Sequence, residues 1–327
     1  MGKNFIFGLL ILAGGALAHA QESANTSTLK ASDVKPVEKT QEQIDKEITN
    51  ARLRASLGSK SKWSVKTSLG FDGSTIERPL DPVRPDIGRG TSPNLLSSLY
   101  GSLGVKRSLS ERDSLTLGSR FAILSPFSGD LSRSEFADPR KKNATMERYK
   151  ASSPYLSYDR GDKIAAFQMS TNVTYTHATD NLFVNEMKQA GILSFSQSML
   201  TDFDGSNWTA GAALSLALPI YSGQMSDYAA TAGYTQTDYA FGLYPFAEYS
   251  FNDRYSLRTV FGYFGSEKTR GAKGDPGAVI ADVPYQSVGI GMSITRDIYV
   301  YPNVQFAPFD IRPARTNVAM SAFVNMF

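Results

Sequence analysis

Five short polar turns divide most of this chain into paired stretches in which apolar and polar residues alternate. The turns are predicted at residues 110–113, 159–162, 204–207, 252–254 and 296–297. Longer and less regular polar segments separate one pair of stretches from the next. Because successive side chains of a strand point to opposite faces, this alternation predicts antiparallel hairpins with one apolar and one polar face. The short connections then lie at one end of the hairpins and the long connections at the other.

The alternating stretches are long enough to cross a bilayer. In the first, Trp63, Val65 and Leu69 alternate with Ser64 and Lys66. A tilted strand needs about 9 to 11 residues to span the hydrocarbon layer, and the stretches reach that length. With a less regular stretch at 149–158 we count 12 strands, or 10 or 14 if the segments near residues 149 and 225 divide differently.

A closed sheet follows from this arrangement. Backbone polar groups within hydrocarbon must all be hydrogen bonded, which an open sheet cannot achieve. An even strand number also places both chain ends beside the short turns. The predicted fold class is therefore all-β, a transmembrane antiparallel up-and-down barrel of about 12 strands over residues 63–327. A soluble β-sandwich is the alternative, although its strands are usually shorter.

The N-terminus carries the features of an export signal. Lys3 precedes an apolar run over residues 5–18, and Ala18-His19-Ala20 forms a small-residue cleavage site before Gln21. The run is shorter than the roughly 20 residues that a membrane-spanning helix needs. We therefore predict a signal peptide at residues 1–20. A mean hydropathy of −0.25 argues against a protein built of membrane-spanning helices.

Residues 21–62 differ from the rest because they lack aromatic residues until Trp63 and are rich in polar ones. Ile44, Ile48, Ala51 and Ala55 form a narrow apolar stripe at helical spacing. We predict a polar, partly helical segment in the periplasm. Two other interpretations stay open: a helix that enters the barrel as a plug, and a helix that pairs with a partner.

Together, the signal peptide, the alternating strands, the separation of short turns from long loops and the terminal Phe327 resemble Gram-negative outer-membrane β-barrels of the porin-like class. The resemblance implies a bacterial outer-membrane location, contact with outer-membrane lipid and lipopolysaccharide, and recognition by the outer-membrane assembly machinery. That machinery reads a final strand that ends in Phe and carries apolar residues at alternate positions. Phe323 and Ala319 fit this assembly signal, whereas Asn325 and Ser321 do not.

Several kinds of chemistry are disfavoured by composition. The chain has no cysteine, so disulfides and thiolate sites are excluded. His177 is the only histidine after residue 20, so a transition-metal site is not expected. The sequence His177-Ala178-Thr179 lacks the His-x-Ser signature of the outer-membrane phospholipase. We therefore predict no enzyme activity and no cofactor, with a membrane-embedded hydrolase as the least favoured alternative. The net charge of +3 comes from scattered Lys and Arg, which argues against nucleic-acid binding.

The polar face of the strands is the candidate functional surface. The lumen-lining charged residues are predicted to be Lys66, Lys106, Arg120, Glu248 and Arg258. A cationic excess in a narrow low-dielectric passage favours anions. We therefore predict a pore for passive or weakly anion-selective diffusion of small hydrophilic solutes. The alternative is a closed structural barrel whose extracellular loops or N-terminal helix bind an envelope or surface partner. The oligomeric state is not predicted.

One long loop is a candidate constriction. If the charged segment 125–148 folds inward it sets the selectivity of the pore, and if it folds outward it is an ordinary hydrated extracellular loop. Its cationic candidates are Arg133, Arg140, Lys141 and Lys142.

Overall fold

A computed structural model describes residues 48–87, 95–127, 148–231, 233–271 and 277–326. The predicted signal peptide at 1–20 and most of the segment 21–62 lie outside these ranges. Their boundaries stay predictions.

Twelve antiparallel strands account for most of the described residues, and two of them are briefly interrupted. The strands are β1 Trp63–Thr75, β2 Ser98–Ser108, β3 Asp113–Leu124, β4 Tyr149–Ile164, β5 Phe167–His177, β6 Gln189–Asp202, β7 Trp208–Tyr221, β8 Gln236–Ser250, β9 Tyr255–Gly262 with Phe264–Arg270, β10 Ala278–Ala281 with Tyr285–Thr295, β11 Ile298–Phe306 and β12 Thr316–Met326.

The sheet closes on itself. Each strand pairs with its neighbours in the chain, and β1 pairs with β12 in a register that places Val65 opposite Met326. A closed ring leaves no unpaired strand edge in hydrocarbon. The predicted fold class, an antiparallel barrel of 12 strands, is confirmed.

Four of the five predicted turns join neighbouring strands, at 109–112, 203–207, 251–254 and 296–297. These turns lie at the same end of the barrel as the start of β1 and the end of β12. We call this the short-turn end, and the opposite one the long-loop end. The turn predicted at 159–162 is wrong, because those residues lie within β4 and the chain reverses at Ala165–Ala166. Asp159 is an inward-facing strand residue, and Arg160 pairs with Asp113 of β3 on the outer face. The polar residues at 159–162 thus have partners on neighbouring strands, and the strand continues through them without a turn.

The two faces of the sheet differ in chemistry. The outer face carries exposed apolar side chains along successive strands, including Leu103, Leu117 and Leu156. Trp63 and Trp208 lie exposed near the short-turn end, where aromatic residues mark a membrane interface. The inner face is largely buried and mostly polar, apart from an apolar and aromatic group on β6 to β9, β11 and β12. This distribution is that of a membrane-spanning barrel, with lipid outside and a polar lumen inside.

Within the described ranges, no helix has the length and apolar character needed to span a membrane.

A short helix of about two turns, α1, covers Ala51–Leu57 and precedes β1. The Asn50 side chain accepts a hydrogen bond from the Leu53 backbone N–H and so caps its start. Gly58 ends the helix with a φ of 86°, a conformation that glycine adopts without a steric penalty. The sequence therefore specifies both ends of α1 locally.

Two long connections pack against each other at the long-loop end. One contains a π-helix at Leu182–Glu186 and the other contains helix α2 at Asp227–Thr231. Their apolar side chains form one cluster, made of Phe183, Met187, Met225 and Ala229. A 3-10 helix at Pro313–Arg315 leads into β12.

Candidate functional site

Helix α1 lies inside the barrel, in the half nearer the short-turn end. On one side Leu53 packs against strands β6 to β9, and on another Ala55 packs against β11 and β12. The first contact set is Leu200, Ala213, Tyr244, Phe246 and Val260, and the second is Tyr299, Tyr301 and Phe323. The described part of the segment predicted to be periplasmic is thus enclosed by the barrel wall. Of the interpretations that the sequence left open, the plug describes these residues.

Gln168, near the start of β5, holds the chain just before the helix. Its Oε1 accepts hydrogen bonds from the backbone N–H groups of Thr49 and Asn50, at 2.8 and 2.9 Å. Its Nε2 donates to Thr49 Oγ1 at 2.9 Å and to Asp202 Oδ2 at 2.8 Å. One buried amide therefore satisfies two backbone donors that precede the first helical turn.

Lys106 of β2 holds the other end of the helix. Its Nζ donates to the carbonyl oxygens of Leu57 and Ser59, at 2.9 and 2.8 Å. The last carbonyls of a helix have no partner within the helix, and a cation is favoured there by the helix dipole. The residue is only 3% exposed. Lys106 faces the lumen as predicted from the strand pattern, but its charge is directed at the plug.

Lys66 forms a buried ion pair that the sequence did not indicate. Its Nζ lies 2.8 Å from Asp159 Oδ2, and Asn172 Nδ2 donates to Asp159 Oδ1 at 2.7 Å. Because Asp159 was assigned to a turn, the sequence count of lumen charges omitted it. The predicted ratio of four cations to one acid is therefore wrong.

Arg258 of β9 lies between the two contact sets of α1 and is 1% exposed. Its Nη1 lies 3.4 Å from Glu248 Oε2, and its guanidinium carbon lies 4.1 Å from the centre of the Phe246 ring. Arg52 of the helix is also buried, with its guanidinium carbon 5.8 Å from the same ring centre. Helix and wall thus bring two arginines and one carboxylate to a single aromatic ring.

The fifth predicted lumen residue, Arg120, is half-buried on the inner face of β3. It stands opposite Ser102 of β2 in the ladder. It is therefore farther from the short-turn end than Lys106 is on the neighbouring strand.

At the long-loop end, the described segment that packs against the inner wall is the loop after β1. The predicted constriction was the loop 125–148. Residues 85–87, in the loop after β1, are buried. Arg84 of this loop pairs with Asp72 of β1 at 3.0 Å, and Asn317 Nδ2 of β12 donates to the Pro85 carbonyl at 3.1 Å. The predicted constriction residues Arg133, Arg140, Lys141 and Lys142 lie outside the described residues, so their role stays a prediction.

Of the two residues of the predicted assembly signal, Phe323 lies within the described residues, and the signal itself stays a prediction. Phe323 is buried against the plug and β11, on the inner face of β12. The outward positions near the chain end carry Met320 and Met326. Phe323 therefore does not add an aromatic ring to the lipid-facing surface, and Phe327 lies outside the described residues.

His177 is exposed at the end of β5 that leads into a long connection. Nearby Asp180 accepts a hydrogen bond from the Leu182 backbone N–H and lies 3.9 Å from Lys150. Over the described ranges, no group of three or more histidine or acidic side chains is placed to hold a metal ion.

The residues that hold the plug were missed for two different reasons. Nothing in the sequence links Gln168 to residues 49 and 50. Arg52 lies outside the strands, so the strand pattern does not indicate it. Its only sequence signal is its position between Ala51 and Ala55 of the apolar stripe.

The closed sheet, the apolar outer face and the polar lumen define the class of this protein as an outer-membrane-type transmembrane β-barrel with porin-like architecture. No protein-family model matches the chain, and no curated protein matches it. Solved structures with a similar arrangement include the COG4313 outer membrane channel from Pseudomonas putida F1, at 11% identity and a TM-score of 0.49, covering 81% of this chain and 96% of that one. The NanC porin is similar at 8% identity and a TM-score of 0.40, covering 80% and 98%. The KdgM porin is similar at 7% identity and a TM-score of 0.36, covering 81% and 98%.

Proposed function

We propose that this protein is an outer-membrane channel for passive diffusion of small hydrophilic solutes, with a weak preference for anions that is set beside helix α1. The observation that carries the proposal is the group of charged side chains around the helix. The buried cations there are Arg52, Lys66, Lys106 and Arg258, and the buried carboxylates that they face are those of Asp159 and Glu248. These six residues are four cations and two carboxylates, and Asp202 and the buried Asp297 lie at the same end of the barrel.

The location of these charges beside the helix supports ion selectivity more strongly than their number does. The helix occupies the lumen beside them, so on this proposal a solute that crosses this half of the barrel passes between the helix and the wall, near these charges. Close approach in a low-dielectric surrounding makes an unbalanced charge more effective than on an open surface. Ion pairing reduces the excess, which is why the preference is proposed to be weak.

Planar-bilayer recording of the refolded mature protein tests the proposal. Under a KCl gradient, the reversal potential should show chloride preference. Lys66→Met removes a cation and leaves Asp159 charged, so it should move the reversal potential toward cation preference. Arg107→Met is the matched control, because Arg107 lies against Trp63 on the outer face and should leave the potential unchanged.

Two outcomes would overturn the proposal. A cation preference in the unaltered protein would contradict the role of the charged group. Silence from protein shown to be folded by its heat-modifiable gel mobility would favour the closed structural barrel instead.

A further inference from the structure

Among the described residues, one side of the Arg258 guanidinium has no hydrogen-bond acceptor. Its Nη1 is directed to Glu248, whereas Nε and Nη2 are buried and have no partner among the residues described. Buried polar groups are nearly always paired, and a charged group left unpaired costs more than a neutral one. This position therefore needs an explanation beyond packing.

The two unpaired nitrogens have a specific geometry. Nε and Nη2 form one edge of the guanidinium fork, with two parallel N–H bonds. That edge matches the two oxygens of one carboxylate, which accepts both hydrogens in a bidentate pair. A chloride ion or a hydroxyl group would use this edge less well, because each offers only one acceptor atom.

A further unpaired donor lies close by. The Tyr299 hydroxyl is buried and has no partner within the described ranges, and it lies beside Ser256 and Gly291. Ser256 lies two residues before Arg258 and therefore on the same face of β9. Tyr301 donates to the Arg258 carbonyl at 3.2 Å, so the backbone at this site is held in place. Arg258 and Tyr299, whose side chains pack around α1, thus carry three buried donors without a partner among the described residues.

We infer that Arg258 is the recognition group for a small monocarboxylate solute, bound through its Nε–Nη2 edge in the seam between helix α1 and strands β9 and β11. A single negative charge fits because Glu248 already offsets part of the local positive charge. A small ligand fits because Arg258 is almost wholly buried, so entry requires the helix side chains to shift. The inference rests on the proposed function, since it names the class of solute that the passage takes.

The experiment measures binding without relying on conduction. Acetate is titrated against the detergent-solubilised, refolded protein, and saturation-transfer NMR follows its methyl signal. Acetamide has the same shape without the charge and serves as the matched ligand. Acetate should give a saturable signal that chloride at equal ionic strength does not abolish, and acetamide should give none.

Three variants locate the site. Arg258→Met combined with Glu248→Gln removes both members of this ion pair together, so neither member is left without the other, and it should abolish saturable acetate binding. Arg258→Lys keeps the charge but loses the fork, and it should weaken acetate binding by about tenfold. Arg107→Met, on the outer face, should bind acetate as the unaltered protein does.

The inference fails if acetate gives no saturable signal, or if the signal survives unchanged in the double variant of Arg258 and Glu248. Reversal potentials recorded on the same preparations separate the two proposals. Acetate binding that depends on Arg258, in a barrel without chloride preference, would retain the site and reject the proposed selectivity. Chloride preference without acetate binding would do the reverse.

Discussion

Replacing Lys106 by methionine should release helix α1 from the barrel wall. The Lys106 ammonium donates to two carbonyls, those of Leu57 and Ser59, at the end of the helix. Methionine keeps much of the apolar stem but cannot donate to either oxygen. Both carbonyls would then lose a charged partner in a buried setting.

The magnitude follows from these two contacts. A hydrogen bond from a charged donor contributes about 1.5–3 kcal/mol net. Removing a buried ammonium also removes its desolvation cost, so the two contacts together should weaken docking by about 2–4 kcal/mol. Every 1.4 kcal/mol is a factor of ten, so the undocked fraction should rise between about 30-fold and 700-fold.

A thiol placed on the helix measures this fraction directly. The chain has no cysteine, and Ser56 of α1 is 3% exposed, so Ser56→Cys supplies a single, nearly isosteric reporter. The rate of its modification by a maleimide then follows the undocked population when re-docking is fast. Lys62→Met, at an exposed lysine just before β1, is the matched control.

An unchanged modification rate in the Lys106→Met background would refute the reasoning. It would mean that Lys106 does not hold the helix, whatever its distance from the two carbonyls. An equal acceleration in Lys62→Met would show instead that the assay reports charge near the N-terminal segment and not docking.

Four further predictions concern the contacts of the helix, the buried ion pair and the outer face of the barrel. Leu53→Ala should raise the modification rate of the Ser56 thiol and enlarge the single-channel conductance, because truncating a buried leucine costs about 2–5 kcal/mol of packing. Gln168→Leu should also raise that rate, by about 5-fold to 100-fold, because the loss of the amide oxygen leaves backbone donors unpaired at about 1–3 kcal/mol. Lys66→Met should lower the midpoint of guanidinium unfolding by an amount that corresponds to about 3–5 kcal/mol, because Asp159 then lacks its partner. The double variant Lys66→Met with Asp159→Asn should recover most of that loss, because neither charge of the pair remains. Equal midpoints for the single and the double variant would contradict an ion pair between Lys66 and Asp159. Leu117→Lys on the lipid-facing surface should reduce refolding into vesicles, with a cost of up to about 4 kcal/mol near the bilayer midplane, and gel mobility of the folded band measures it.

The barrel could be predicted from the sequence because each of its constraints is local. A period of two residues identifies a strand, and a short polar stretch between two such runs identifies most of the turns. The same local rule fails at residues 159–162, because the residues that favour a turn are also those that line a polar lumen. Asp159 satisfies both descriptions, and only the pairing of β4 with its neighbours decides between them.

The candidate site was less predictable because its contacts join distant parts of the chain. Lys66 and Asp159 lie 93 residues apart, and Thr49 and Gln168 lie 119 apart. A list of inward-facing charges therefore gave the correct face for Lys66 but not its partner. The stripe that contains Ala51 and Ala55 predicted a helix, yet small side chains fit both a solvated surface and a narrow lumen. Its location could not be derived from the pattern.

The position of α1 also bears on how the ring resists opening. Eleven of the twelve joints of the barrel connect strands that follow each other in the chain, whereas β1 and β12 come from its two ends. An open joint would expose two strand edges, each able to pair with another molecule. The helix contacts Phe323 on one side of this joint and Lys106 on the other. Because Lys106 belongs to β2 and Phe323 to β12, the helix links strands on both sides of this joint from inside the barrel.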